Sequence, residues 1–140
     1  MPQKTSRSED PAVLTSLKAR SAALLGSGSE QRAETHLRQQ GLVPICRNWR
    51  CPLGELDLVM RDGETLVIVE VRARSTQSHG GALASVDAKK RGRLMRTALA
   101  FVQAHDEWQD ASIRFDIISF EADGRGRWLK NAFDSNDYAV

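Results

Sequence analysis

The sequence predicts an α/β fold in which a central mixed sheet of four to five strands is flanked by helices, in the order α-β-β-β-α-β. Two strongly apolar segments, residues 56–60 and 65–71, are separated by Asp62-Gly63, which is typical of a tight hairpin turn. On both sides of this hairpin, apolar residues recur three and four positions apart, as on the buried face of a helix. A hairpin between two helices, followed by a further strand, indicates a sheet with helices packed on it.

The first helical pattern covers residues 12–25, and the Gly/Ser run at 26–29 then predicts a cap, a kink or a short linker. Residues 30–40 resume as a helix, and Gly41 stands where a glycine commonly ends one. The polar residues at the start lack apolar periodicity, so we expect a flexible arm there. The expected organisation is an arm over 1–10, one domain over 11–133 and a tail over 134–140.

Residues 42–50 mix β-branched, aromatic and basic side chains and predict the first strand, with Pro44 favouring an edge position. After a polar loop, Ser85 or Asp87 is suited to cap a helix that runs to about His105. The residues that predict its buried stripe are Leu94, Met95, Ala98, Leu99, Phe101 and Val102. The other predicted strands are residues 113–120 and a short edge strand at 127–133.

Composition excludes several classes of protein. Cys46 and Cys51 are too far apart for a CxxC pair, so we expect reduced thiols and a cytoplasmic protein. No stretch approaches the roughly 20 apolar residues of a membrane helix, and no association with membranes is expected. The net charge of +2 does not by itself indicate a polyanionic partner. The absence of a Ser/His/Asp set, a P-loop or a Rossmann fingerprint disfavours classical hydrolases, nucleotide-binding proteins and dehydrogenases.

Carboxylates concentrate at the far end of the hairpin. If Asp62-Gly63 form its loop, Asp57 lies opposite Ile68, and Glu55 lies opposite Glu70. Directly opposed residues share a face of the sheet. The side chains that this pairing gathers on one face are Glu55, Asp57, Glu70 and Arg72. Those that it places on the other face are Leu56, Leu58, Met60, Val67, Val69 and Val71.

Neighbouring carboxylates repel one another unless a cation lies between them. In this pairing Asp57 and Glu70 are diagonal neighbours, roughly 7 Å apart, which is close enough to share one ion. Oxygen ligands suit Mg²⁺ or Mn²⁺, and these ions often bind a substrate phosphate as well, which points to phosphodiester cleavage. The alternative is that the acids lie on a solvated face and pair with arginines, the candidates being Arg47, Arg61, Arg72 and Arg74.

Several short motifs along the chain are specific in combination. They are Ser29-Glu30 with Ala33 and Leu37, Gly41, Arg47-Asn48-Trp49-Arg50-Cys51, Gly54-Glu55-Leu56-Asp57, Val69-Glu70-Val71-Arg72-Ala73-Arg74, Val86-Asp87 with Lys89 and Lys90, Arg114-Phe115-Asp116, and Asn131-Ala132-Phe133. Through these motifs, which span about residues 26–133, the chain resembles the YraN family of small bacterial proteins. That family is related to the Holliday-junction-resolvase-type members of the PD-(D/E)XK nuclease superfamily.

The resemblance implies a restriction-endonuclease-like core, so that residues 11–133 form a nuclease-like domain. By motif position it implies that Glu30, Asp57 and Glu70 bind Mg²⁺ or Mn²⁺, with Glu55 as a neighbouring acid. It also implies that Asp57, Glu70 and Arg72 are the catalytic residues. From the pattern alone, Glu30 is instead a first-turn charge that the helix dipole favours.

The sequence departs from the family pattern at two positions. Ser29 stands where the family usually has glycine, a change that still suits the start of a helix. Arg72 stands where the motif usually has lysine. Because arginine stays protonated, Arg72 is suited to stabilise negative charge and is a poor general base.

Basic residues follow the hairpin, and the spacing of several places them on one side of the second helix. Such groups bind backbone phosphates without reading sequence, so we expect nucleic acid, and DNA in particular, as the partner. The predicted contacts are Arg74, Lys89, Lys90, Arg93 and Arg96. The alternative is a merely solvated helix face. Asp116 lies in an apolar strand and is either a group that supports the site or a satisfied structural acid.

Three functions are therefore considered for the chain. The first is a metal-dependent endonuclease that cleaves DNA, on branched or otherwise structured substrates. The second is a nucleic-acid-binding module of the same fold with weak or no turnover, because the motif lysine is missing. The third is an accessory factor that binds another protein. A monomer or a homodimer is compatible with each of them.

Overall fold

The structure of the protein, a computed structural model, describes residues 17–72, 86–121 and 123–134, with side chains from residue 28 onward. In chain order its elements are α1 (Leu17–Gln39), β1 (Val43–Cys51), β2 (Gly54–Asp62), β3 (Thr65–Arg72), α2 (Ala88–Ala104), a 3₁₀ turn (Asp106–Trp108), β4 (Ile113–Phe120) and β5 (Gly126–Phe133). The predictions for the N-terminal arm, Arg74, the following loop and Ser85 lie outside the described residues.

The strands form one mixed sheet in the order β1-β2-β3-β4-β5. Neighbouring strands are antiparallel except β3 and β4, which are parallel. A parallel pair requires a crossover connection, and α2 lies between these two strands in the chain. The predicted α/β class, element order and edge position of β1 are confirmed, and the arrangement is consistent with a restriction-endonuclease-like fold.

Two hydrophobic clusters pack on opposite sides of the sheet, one with each helix. The cluster with α1 contains Ala33, Leu37, Leu42, Leu58, Met60, Val67, Val69, Ile118 and Phe120. The cluster with α2 contains Leu56, Val59, Leu66, Ile68, Val86, Leu94, Ala98, Phe101, Val102, Phe115, Ile117 and Phe133. Because both faces are covered, β3 is apolar at consecutive positions rather than at alternate ones.

The backbone of α1 is helical through the Gly/Ser run, so the predicted interruption at 26–29 is wrong. Each glycine costs a helix only about 1 kcal/mol relative to alanine, and good helix formers lie on both sides of the run. The helix ends as predicted at Gly41, whose φ of 100° disfavours other residues. This continuous helix carries Glu30 beside the sheet.

Asp87 caps α2 as predicted, because its Oδ1 accepts a hydrogen bond from the backbone N–H of Lys90 at 2.9 Å. The buried stripe differs from the predicted one at two positions. Leu99 is 56% exposed, and Thr97 is fully buried instead. Thr97 tolerates burial because its Oγ1 donates to the carbonyl of Arg93 at 2.8 Å.

The two cysteines, Cys46 and Cys51, are free thiols. Burial raises the pKa of the Cys46 thiol to about 12, which disfavours the reactive thiolate. Among the residues that the structure describes, neither helix combines the length and the apolar character that a membrane span requires.

Candidate functional site

The loop of the β2–β3 hairpin begins one residue later than the turn pattern predicts. Asp62 pairs with Thr65, so the loop consists of the two residues between them. Gly63 has a φ of 62°, a left-handed conformation that glycine adopts without steric cost. The prediction that Asp57 lies opposite Ile68 is therefore wrong, because every pair moves by two residues.

A shift of two residues keeps side chains on their face of the sheet but changes their partners. Asp57 and Glu70 each lie one residue beyond the last pair of the β2–β3 ladder, so these two residues face each other. The predicted opposition of Glu55 and Glu70 is wrong. Oδ2 of Asp57 accepts a hydrogen bond from the backbone N–H of Val71 at 3.0 Å. A side-chain carboxylate thus replaces a backbone acceptor, and the strands separate at the acidic end of the hairpin.

The alternation of faces along β2 also breaks at Asp57. Leu58 packs in the cluster with α1, whereas Leu56 packs in the cluster with α2, so the prediction that they share a face is wrong. The residue of β1 beside Asp57 is Asn48, whose φ is 55°. A left-handed residue interrupts the pleat of a strand, and asparagine tolerates this conformation better than most residues.

Helix α1 brings Glu30 to this end of the hairpin. Glu30 is 8% exposed, and its Oε1 is buried without a hydrogen-bond partner. Burial and then the negative charge of Asp57 raise the pKa of Glu30 to about 7, and Glu55 adds to the rise. A hydrogen bond from Asn48 and the charge of Arg47 act in the opposite direction. A buried carboxylate oxygen without a donor is costly, unless a cation satisfies it.

Glu70 is the most buried acid of the site, with 4% of the residue exposed. Burial and then the charge of Asp57 raise its pKa to about 7, against the lowering effects of Lys90 and Arg72. Its Oε2 lies 3.3 Å from Nζ of Lys90 and 3.8 Å from Nε of Arg72. Two cations therefore offset one buried carboxylate, and burial still favours its protonated form.

A small polar cleft lies beside these acids, between β2 and α2. It is lined by Gly54, Glu55, Asp57, Lys90, Arg93 and Leu94. Glu55 lies at its margin, where its Oε2 pairs with Nε of Arg50 at 3.3 Å and its side chain is 39% exposed. The cleft combines two carboxylates with two basic side chains, an arrangement that suits a cation together with an anion.

Gly54 allows α2 to approach β2 closely at this cleft. A Cβ at this position would lie 2.7 Å from Oγ1 of Thr97 and 3.3 Å from Cγ of Arg93. Both contacts are tighter than van der Waals distance, so a side chain at this position would require the side chains of Thr97 and Arg93 to shift. The glycine of the Gly54-Glu55-Leu56-Asp57 motif thus determines how near the basic helix lies to the acids.

The basic residues predicted to bind nucleic acid have different environments. Lys89, Arg93 and Arg96 are exposed on α2, as the helical spacing predicted. Lys90 is half-buried and pairs with Glu70. The predicted role of all four in binding phosphate stays a prediction.

The sequence missed two contributions to the site. The motif that contains Asn48 does not by itself indicate its role, although an asparagine inside a strand is a signal for left-handed backbone. For Lys90 the sequence predicts contact with phosphate alone, because spacing along a helix cannot reveal a partner on a distant strand. Asp57 influences both buried glutamates, since its charge adds to the effect of burial in raising the pKa of each.

The three predicted metal ligands lie in one region without forming a finished coordination group. Among the residues that the structure describes, no three His, Cys, Asp or Glu side chains are arranged to hold a metal ion. The donor chemistry nevertheless fits a hard divalent cation, because Glu30, Asp57 and Glu70 offer only carboxylate oxygens. The unpartnered Oε1 of Glu30 supports the same fit.

Asp116 is a satisfied structural acid. It is 1% exposed and accepts hydrogen bonds from Nε and Nη2 of Arg114, Nε1 of Trp128 and the backbone N–H of Asn131, at 2.9 to 3.0 Å. Arg114 in turn donates to Asp62 at 2.9 Å. The network joins β2, β4 and β5, and it fixes the irregular pairing at Asn131, whose φ is 54°.

The profile of the uncharacterised protein family UPF0102 matches residues 29–120. A UPF0102 protein of Ectopseudomonas mendocina (strain ymp) is 50% identical over 113 residues, which cover 79% of this chain and 95% of the relative. Another from Pseudomonas entomophila (strain L48) is 46% identical over 118 residues, which cover 81% of this chain and 96% of the relative. A third, from Stutzerimonas stutzeri (strain A1501), is 46% identical over 113 residues, with 79% and 94% covered.

The matched region contains both helical and hairpin parts of the acidic site, since it begins just before Glu30 and extends past Lys90. The resemblance to the YraN family is confirmed, and the chain belongs to the UPF0102 family.

Proposed function

We propose that this protein is a Mg²⁺- or Mn²⁺-dependent endonuclease of the PD-(D/E)XK type that cleaves phosphodiester bonds in DNA. The observation that carries the proposal is the meeting of Glu30 from α1 with Asp57 and Glu70 from the open end of the hairpin. Burial and then the charge of Asp57 raise the pKa of both glutamates to about 7. Buried acids that disfavour one another's ionisation are typical of a catalytic or cation-binding site.

Glu30, Asp57 and Glu70 would hold the divalent cation in this proposal. When bound, the cation would lower the pKa of a water molecule and neutralise a phosphate oxygen. The protein would contribute a dry, acidic position, since Glu30 and Glu70 are both buried. Asn48 would orient Glu30 through its hydrogen bond, and the N–H of Val71 would orient Asp57.

The phosphate backbone of DNA would lie along the side of α2 that borders the cleft. Arg93 lines the cleft directly, and Lys89 and Arg96 are exposed on the same helix. Arg72 is suited to stabilise negative charge beside Glu70, because a guanidinium does not act as a general base at neutral pH. Contacts of this kind fix a duplex by its phosphates and do not select a base sequence.

A binding module without turnover is the second candidate, and one observation favours it. The position of the motif lysine holds Arg72, whose Nε is 3.8 Å from Glu70. In such a module the same acids and basic helix would bind a cation and phosphate without cleavage.

Incubation with DNA separates the two candidates. Supercoiled, linear and four-way-junction DNA are treated with the full chain and Mg²⁺ or Mn²⁺, and the products are separated on gels. The proposed nuclease cleaves at least one substrate, and Glu70→Ala lowers the rate by about a hundredfold or more. The control Glu64→Gln, at the exposed hairpin loop, cleaves normally. Salt-sensitive binding of DNA without cleavage would favour the module instead.

A further inference from the structure

Lys90 differs from the exposed basic residues of α2, because it contacts a buried carboxylate as well as the cleft. Its Nζ lies 3.3 Å from Oε2 of Glu70, and the side chain of Glu70 is 5% exposed. The side chain of Lys90 is 38% exposed and also lines the cleft beside Asp57. The ammonium group therefore reaches both a buried carboxylate and the solvent side of the cleft.

Two features of the fold hold Lys90 at this position. The N-cap residue Asp87 accepts a hydrogen bond from its backbone N–H at 2.9 Å, which fixes the first turn of α2. The close approach at Gly54 then sets the distance between α2 and the acidic strand. The backbone of Lys90 is thereby fixed, whereas its half-exposed four-carbon side chain can reorient between Glu70 and the cleft.

We propose that Lys90 is a built-in counter-ion that competes with the divalent cation for Glu70 and moves to a DNA phosphate when that cation binds. This inference rests on the proposed function and adds a regulatory step to the same site. An ammonium 3.3 Å from a carboxylate oxygen and a divalent cation on that same carboxylate repel each other strongly. A phosphate bound to the cation would then offer the displaced ammonium a new anionic partner.

In this proposal the ion pair occupies an oxygen of Glu70 that a metal ion would use. In this ion pair, Oε2 of Glu70 contacts Lys90 of α2. Release of Lys90 frees that oxygen. In the proposed exchange, this carboxylate pairs either with the internal ammonium or with the external cation.

Titration calorimetry with Mn²⁺ tests this competition directly. We expect Lys90→Met to bind Mn²⁺ about tenfold more tightly than the unsubstituted chain, because removal of a close like charge has effects of at least this size. The matched control is Lys89→Met, which removes the same charge from an exposed neighbour and is expected to change the Kd less than about threefold. Lys90→Arg restores a cation and is expected to return the Kd toward that of the unsubstituted chain.

A purely structural lysine gives a different pattern. Loss of a structural ion pair would weaken Mn²⁺ binding and DNA cleavage together. Loss of the proposed counter-ion instead strengthens Mn²⁺ binding and weakens DNA cleavage. Lys90→Gln repeats the measurement with a second side chain, and urea unfolding in EDTA shows that each variant is folded.

The two proposals fail in distinguishable ways. Equal or weaker Mn²⁺ binding by Lys90→Met and Lys90→Gln, beside clear binding by the unsubstituted chain, would overturn the counter-ion role and leave the metal site standing. No Mn²⁺ binding by any of these proteins would overturn the metal site and the counter-ion role together.

Discussion

Replacing Glu70 by glutamine is expected to stabilise the protein at alkaline pH in EDTA. The pKa of Glu70 rises from 4.5 to about 7 on folding, mainly because the carboxyl group is buried. A group with a raised pKa binds its proton more tightly in the folded chain, so protonation stabilises the fold fully below about pH 4.5. This stabilisation is lost as the pH rises through about 7.

The size of the effect follows from the same values. A rise from 4.5 to about 7 corresponds to about 3 kcal/mol of unfolding free energy, because each pKa unit is worth about 1.4 kcal/mol. Glutamine is neutral at every pH and keeps nearly the same shape. Glu70→Gln should therefore match the unsubstituted chain near pH 4.5 and exceed its unfolding free energy by about 3 kcal/mol at pH 8.

Urea unfolding in EDTA at several pH values between 4.5 and 8 measures this difference. Glu64→Gln, at an exposed position of the hairpin loop, is the control and should follow the unsubstituted chain across the range. A Glu70→Gln protein that is less stable than the unsubstituted chain at pH 8 would refute the reasoning. So would a constant difference between the two proteins at all pH values.

Three further substitutions test other parts of the account. Gly54→Ala should lower the unfolding free energy by about 1–3 kcal/mol, because its Cβ would lie 2.7 Å from Oγ1 of Thr97. Addition of Thr97→Ala should recover part of this loss in urea unfolding, and additive losses would contradict the contact. Asp116→Asn should cost about 1.5–3 kcal/mol in the same assay, since it removes the charged acceptor of Arg114 and leaves Asp62 as the remaining anion of that guanidinium. A loss below about 1 kcal/mol would show that the network is dispensable. Arg72→Lys should change the rate of DNA cleavage less than about fivefold, because lysine keeps a positive charge beside Glu70. A large gain in rate would show that Arg72 limits turnover.

The fold was predictable because its signals are local. The apolar runs of the hairpin, the Asp87 cap and Gly41 each identify an element or its end within a few residues. The Gly/Ser run misled because a glycine weakens a helix by an amount that the rest of a long helix tolerates. The turn pattern places the loop one residue too early, which shifts the predicted strand register by two residues. Asp62-Gly63 and Gly63-Glu64 both place glycine in the loop, and only pairing across the sheet distinguishes them.

The sequence identifies the acids of the site, but it does not identify the residues that pair with them. The two-residue shift in register makes Asp57 and Glu70 directly opposed rather than diagonal neighbours, so these acids lie together although their predicted pairing was wrong. The ion pair between Glu70 and Lys90 joins β3 to α2, and no spacing within either element encodes it. The left-handed backbone of Asn48 likewise has meaning only beside Asp57 on the neighbouring strand.

Binding of Mn²⁺ to the full chain and to Asp57→Asn is the measurement that tests the central claim most directly. Asparagine keeps an oxygen for the hydrogen bond from Val71 but removes the charge that influences both buried glutamates. We predict that the unsubstituted chain binds Mn²⁺ in calorimetry and that Asp57→Asn binds it at least about tenfold more weakly. Absence of binding by the unsubstituted chain, or equal binding by the two proteins, would contradict a metal site at Glu30, Asp57 and Glu70.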